Sequence, residues 1–204
     1  MKKHFPFVLL FAALSLCVSA QDFSGVTCQQ GQVYNNWHKW LDYINIVQPI
    51  DIYEYKTIYL CPVDVSKVQW PDKKDKKYAA MEESLKALPG IIAKCITKGV
   101  PTVKVQLVGS LAEMKLDDKS VGLCLRIDEL DMGDRALRIW VGAGAGAQKI
   151  TMSGVLFDKN KTEFFDFHHR RVTVMGRTYK KDLQLEFANY GDDIAKILNI
   201  LSKQ

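Results

Sequence analysis

Gly142, Gly144 and Gly146, followed by Ala147, have the GxGxxG/A spacing that cradles a pyrophosphate in dinucleotide-binding folds. That chemistry depends on a helix starting directly after the glycines, so that its free amides point at the anion. Here Gln148-Lys149-Ile150-Thr151 opens a β-branched, alternating stretch, and no βαβ unit surrounds it. The glycines are therefore read as architecture, and no cofactor is assigned. In an extended chain, residues 142, 144 and 146 would bare one side of the backbone to a close neighbour. If Asp134 to Trp140 is a short helix instead, the glycines form a loop into the strand. Both readings stand.

The other reactive residue types do not converge on a reaction. Arg135 and Arg138 suit an anion, or a solvated, salt-bridged face. His168 and His169 are adjacent, and neighbouring strand residues point to opposite faces, so one metal cannot readily take both. Asp128, Glu129 and Asp131 gather at a strand end, as a cation site or as a solvated loop. His38 lies between Trp37 and Trp40 with no carboxylate or nucleophile beside it, and no serine sits in a GxSxG elbow. No catalytic, cofactor or metal residue is assigned, and the chain is expected not to be an enzyme.

The elements that would position these residues follow from hydrophobic period. Thr57 to Cys61 is a continuous apolar run ended by Pro62, as in a strand covered on both faces. Tyr78, Met81, Leu85, Leu88, Ile92, Cys95 and Ile96 draw one helical stripe, which Pro89-Gly90 should kink or break and Gly99 should stop. Val103, Val105 and Leu107 alternate with polar residues, as do Val121, Leu123, Leu125 and Ile127, with a polar loop or short helical turn over 110–119 between them. Ile150, Met152 and Leu156 share a face of the next strand. Asp158-Lys159-Asn160-Lys161 turns it into an antiparallel partner over 162–174, with Phe165 and Phe167 inward. Asp182 can cap a last helix with a stripe of Leu183, Phe187, Tyr190, Ile194, Ile197, Leu198 and Leu201. The expected fold is α+β or α/β: one mixed sheet with packed helices, in the order strand, helix, strand, strand, hairpin, helix.

Residues 1–20 read as an export signal, with a basic start at Lys2-Lys3, an apolar run from Phe5 to Leu16 and small residues before Ala20. Cleavage between Ala20 and Gln21 is expected, which removes two lysines and takes the formal charge from +5 to +3. Cys17 offers a rival route through lipidation, but the large Leu16 fits a lipobox poorly. The organisation is a signal peptide over 1–20, an N-terminal extension over 21–50 and a single domain over 51–204. The extension is polar and aromatic, with Trp37, Trp40 and Tyr43 near helical spacing, and the core begins at Lys56. A charge this mild lacks the dense basic footprint that nucleic acid requires. Cys28, Cys61, Cys95 and Cys124 allow three complete pairings in an oxidising compartment, and packing as buried free thiols is the alternative.

Gly133, Arg135, Ala136, Arg138, Gly142, Gly144, Ala145, Gly146 and Asp158 form the pattern G-x-R-A-x-R, then G-x-G-A-G, then a strand ending in aspartate. In this, and in the closing helix around Gly191-Asp192-Asp193-Ile194-Ala195, the chain from about Lys56 onward resembles a bacterial envelope family, the domain of unknown function 4410. Two departures stand out. The family often has a glycine in the turn after the aspartate, where Asn160-Lys161-Thr162 stands here, and many members carry a proper lipobox. The resemblance implies an exported α/β protein and transfers no catalytic residues. The expected function is that of a non-catalytic envelope module that binds another, unidentified envelope protein. It would be periplasmic, or membrane-held only if Cys17 is lipidated in the outer membrane. A small-ligand binder or enzyme using a pocket near Gly142–Gly146 is the alternative.

Overall fold

The computed structural model describes residues 31–134, 146–173 and 178–203. Seven strands form one mixed sheet in the order β1-β2-β7-β6-β5-β3-β4. They are β1 (Gln32–Trp37), β2 (Leu41–Ile46), β3 (Thr57–Leu60), β4 (Lys104–Leu107), β5 (Ser120–Asp131), β6 (Gln148–Phe157) and β7 (Glu163–Thr173), with helices α1 (Lys76–Gly99) and α2 (Tyr179–Leu201). β3 runs parallel to both β4 and β5, and the remaining pairs are antiparallel. From β3 onward the order matches the one read from hydrophobic period.

Both helices lie on one face of the sheet. On that face Leu125, Gly154, Phe167 and Ile44 form one row across four strands. Gly154 leaves room for the Phe167 ring, since an added Cβ would stand 2.4 Å from its Cε1 and 2.7 Å from Leu125 Cδ2. Tyr190 of α2 reaches the same layer, donating its hydroxyl to the carbonyls of Ile150 (2.7 Å) and His169 (2.9 Å). The one hydroxyl proton, shared between the two carbonyls, satisfies the buried phenol and pins the helix to the β6–β7 pair. On the opposite face a smaller cluster of Cys61, Cys124, Val155 and Phe157 is covered by Leu111, Met114 and Leu116 from the segment before β5. That cover explains why β5 is buried on both faces from Ser120 to Ile127, where alternation alone implied half-burial.

Four sequence readings need correction. The core starts before Lys56. β1 and β2 belong to the same sheet, and Trp37, Leu41 and Ile44 are buried in it, so the described part of the 21–50 extension is a hairpin and not a helix-spaced lead-in. Its turn places His38 (φ 49°) and Lys39 (φ 65°) in the left-handed region. Of the two outcomes read for Pro89-Gly90 the break does not occur: α1 continues through Pro89, with Leu88 and Ile92 on either side fully buried against its neighbours. Ser84 joins the α1 stripe fully buried, donating to the Ala80 carbonyl at 2.6 Å, while Leu85 packs partly buried against the core as read. α2 is capped by Thr178, whose hydroxyl accepts from Lys181 N at 3.3 Å, while Asp182 lies buried in the first turn. At the sheet edge the alternation read for β4 holds at Val103, which is buried, and at Val105, which packs on the core, but fails at Leu107, which is 49% exposed.

Two glycines in helices have opposite roles. Gly191 lets α2 touch α1: an added Cβ would meet Cys95 Cβ at 2.6 Å and Ile92 Cα at 3.1 Å. Gly90 faces open space, with nothing within 4 Å. Gly90→Ala is therefore expected to stabilise by up to about 1 kcal/mol through helix propensity. Gly191→Ala should destabilise by about 1–2 kcal/mol despite the same propensity gain, because the helices must move apart. Urea denaturation of the two variants checks the sign, and equal shifts would refute it.

Candidate functional site

The sheet face away from the helices carries a charged cluster drawn from three strands. A register shift between Ile127 and Glu129 bulges β5 at Asp128. Asp128 Oδ1 accepts from Arg126 Nε (2.8 Å) and Lys67 Nζ (3.1 Å). Its other oxygen accepts from the Ser153 hydroxyl of β6 and lies 3.7 Å from His168 Nδ1 of β7. Burial opposes ionisation of Asp128, but hydrogen bonds from His168, Ser153, Arg126 and Lys67 outweigh it and hold the carboxyl far below the usual carboxylate range.

Serine, histidine and aspartate together suggest nucleophilic catalysis, and the geometry argues against it. A productive serine gives its proton to the histidine, which the aspartate orients from the far nitrogen. Here the single Ser153 proton goes to Asp128, so it is not given to His168 Nδ1, 3.2 Å from Ser153 Oγ. Ser153 is also fully buried, with no surface for a substrate to reach. The cluster binds three strands together around the bulge.

Glu186 is held below its ordinary value in the same manner: burial opposes ionisation, and bonds from Thr173, Arg171 and Asn189 more than offset it. For a depressed carboxylate the stabilisation is complete above the unfolded pKa, near 4, and is lost as pH falls through the folded value. Melting temperature should therefore hold from about pH 7 to 5 and drop below about 4, with a shallower drop in Asp128→Asn. An acid-independent melting curve would contradict both assignments.

Beyond the bulge, β5 ends in a cleft of about 510 Å³ lined by Asp128, Glu129, Leu130, Asp131 and Met132 against Lys67, Trp70 and Asp75. The acidic residues singled out as a cation site face it, but each already accepts a hydrogen bond: Asp128 as above, Glu129 from Thr151 Oγ1 (3.2 Å) and Asp131 from Gly133 N (2.8 Å). Directly after the cleft, Gly133 (φ 63°) meets Gly146 (φ 65°), with Asp134 N donating to Gly146 O at 3.0 Å. An added Cβ on Gly133 would stand 2.3 Å from that carbonyl oxygen. From Gln148 the chain continues as β6, so no helix starts behind the glycines. Asp158 builds the next turn, its Oδ1 accepting from Asn160 N and Thr162 N at 2.8 Å each. In that turn Lys161 takes the left-handed conformation (φ 62°). The motif residues Arg135, Ala136, Arg138, Gly142, Gly144 and Ala145 lie outside the described residues, as do Cys17, Ala20, Gln21 and Cys28.

Gly133, Gly146 and Asp158 all fall within residues 58–176, which match the profile of the family described as Domain of unknown function (DUF4410). The chain belongs to the DUF4410 family. No curated protein matches it. Its fold is similar to that of a point variant of the PelC dodecamer from Paraburkholderia phytofirmans in space group C2, with a TM-score of 0.51 and 10% identity over 76% of this chain and 97% of that one. A PelC dodecamer from the same organism in space group P6 gives 0.48 and 9% over 74% and 96%. An uncharacterized protein gives 0.42 and 12% over 74% and 95%.

The adjacent histidines of this DUF4410 chain do part to opposite faces. His169 turns toward α2, its Nδ1 2.9 Å from Asp42 and its Nε2 3.6 Å from Asp193. Arg171 on the same face bridges Glu186 (2.8 Å) and Asp193 (2.6 Å). Sequence reasoning missed these networks because each gathers residues from distant strands and α2. The alternation Arg126/Asp128, Ser153 and His168 on the polar side of three paired strands was the available signal.

A second concavity lies between the helices, a groove of about 560 Å³ with Ile91, Leu185 and Ala188 as apolar lining and Lys94, Lys98 and Lys181 around it. Cys95 sits in it as a free thiol, pushed up in pKa by burial and then by Asp192. Cys61 and Cys124 are also free and buried.

Proposed function

We propose that this DUF4410 protein is an exported cell-envelope module that binds or assembles with other protein and performs no catalysis. The carrying observation is the groove between α1 and α2, lined by the apolar Ile91, Leu185 and Ala188 together with Lys94, Lys98 and Lys181, whose three positive charges outnumber the single acid, Asp192. Such a surface suits an amphipathic segment with acidic flanks. The charged cluster supports the same reading, since it spends Ser153 and His168 on holding strands together. A distant relative in fold is a dodecamer, which favours assembly as the use of this architecture. The leader-like residues 1–20 support export, with release at Gln21 favoured over anchoring through Cys17.

A photo-reactive residue at Leu185 in the full chain, expressed in its native envelope, should crosslink one specific protein, and Ala188→Trp should abolish the crosslink by filling the groove. Mass measurement of the mature N-terminus should find Gln21. Absence of a specific crosslink together with turnover of a defined small molecule would reject the proposal. That result would favour the second reading, a ligand site in the cleft beside Gly133 and Gly146, where the exposed Trp70 faces the end of β5.

A further inference from the structure

We infer that Cys61 and Cys124 are a disulfide pair, closed across the β3–β5 ladder when the protein folds in an oxidising compartment. The inference rests on the export proposed above for its setting, but its geometry is independent of it. β3 and β5 are parallel neighbours in register, with Thr57 opposite Ser120 and Leu60 opposite Leu123. The ladder continues one residue further, because Cys61 N donates to the Leu123 carbonyl at 3.0 Å. Cys61 and Cys124 are therefore the next rung, and their side chains share the face away from the helices. Neighbouring strands lie about 4.7–4.9 Å apart, inside the roughly 4.4–6.8 Å Cα separation that a disulfide spans.

The chain beyond the rung is also held. Asp64 N donates to Leu125 O and Ile127 N to Asp64 O, both at 2.9 Å, so Cys61 lies between two attached segments. The two thiols already share a hydrogen bond, and the Cys61 sulfur and then burial push the Cys124 thiol up in pKa. Cys95 is not a competitor, since it opens into the helical groove on the other side of the sheet.

Closure needs an electron acceptor, and the disulfide of an oxidised dithiol oxidase supplies it. The Cys61 thiolate attacks that disulfide, expelling one oxidase thiolate and leaving a mixed disulfide. Cys124, on losing its proton, displaces the second oxidase sulfur. Two S–H bonds are lost, one S–S bond forms, and the oxidase takes two electrons and two protons to become a dithiol. The finished pair lies behind Leu111, Met114 and Leu116, with Cys61 5% and Cys124 8% exposed. Exchange thus precedes docking of that cover, and the completed bond is shielded from reductants.

The test uses the full chain in two arms. In the first, protein from the envelope fraction is alkylated under denaturing conditions without reductant, digested and mapped by mass. A crosslinked Cys61–Cys124 peptide is expected, together with alkylated Cys95. In the second, purified reduced protein is refolded with oxidised glutathione, which should give the same single crosslink wherever the protein resides in the cell. Its melting temperature should exceed that of reduced protein by about 10 °C. Free Cys61 and Cys124 in the refolded protein, or a bond from either to Cys28 or Cys95, would overturn the pairing. Crosslink in the refolded arm with an uncleaved leader in cells would uphold the pairing and sink export instead.

Discussion

Gly133→Ala should destabilise the protein by about 3 kcal/mol, more than any other single methyl added to the motif glycines described. Two costs add. Gly133 sits at φ 63°, where an L-residue pays about 1–2 kcal/mol for the left-handed conformation. Its new Cβ would also lie 2.3 Å from Gly146 O and 2.7 Å from Ala147 O. Those are backbone atoms, so no rotamer change relieves the clash, and the entry to β6 must shift. Equilibrium denaturation should show the loss, with an unchanged m-value if the denatured state is the same. A change below about 1 kcal/mol would mean that residues 133 and 146 do not meet in solution. On this account Gly133 and Gly146 serve a backbone crossing and not a ligand.

Arg171→Met should cost about 3 kcal/mol, by a different route. Arg171 stands between Glu186 and Asp193, whose side chains are only 8% and 7% exposed. Removing the guanidinium leaves two desolvated carboxylates short of a counter-charge, the case in which breaking a buried pair costs most. Thr173 and Asn189 still donate to Glu186, and Lys196 and His169 still approach Asp193. Those contacts, and the 27% exposure of the Arg171 side chain, put the expected cost at the low end of the usual range. Adding Glu186→Gln and Asp193→Asn to the methionine variant should recover most of the loss. If the triple variant is no more stable than Arg171→Met alone, the cost arises from packing and not from charge.

Local pattern revealed the two helices, β3 and the β6–β7 hairpin, because each carries its own apolar period within a few turns or residues. The polar QVYNNW of β1 has no such signature. Its membership in the sheet depends on β2 pairing with β7, a partner far along the chain, and no window of neighbouring residues contains that information. The same reason hid the Asp128 cluster. Asp128 was visible as an acid among acids, but Ser153 and His168 reach it only through the register of β5, β6 and β7. Asp182 misled because a good capping residue one turn inside a helix looks the same in sequence as one at its start, and Thr178 takes the role.

The placement of the first hairpin has a kinetic consequence. Asn45 and its β7 partner Asp166 are 121 positions apart, joined by a 2.8 Å hydrogen bond. A nascent chain delivered from its amino end can close β1 on β2 early, yet that pair waits for almost everything else before it gains a neighbour. Loop closure over such a span is slow, and an isolated two-stranded ribbon is barely stable in water. The opening strands should thus be the last to acquire protection from hydrogen exchange during refolding, and until then they are the stretch most in need of a chaperone.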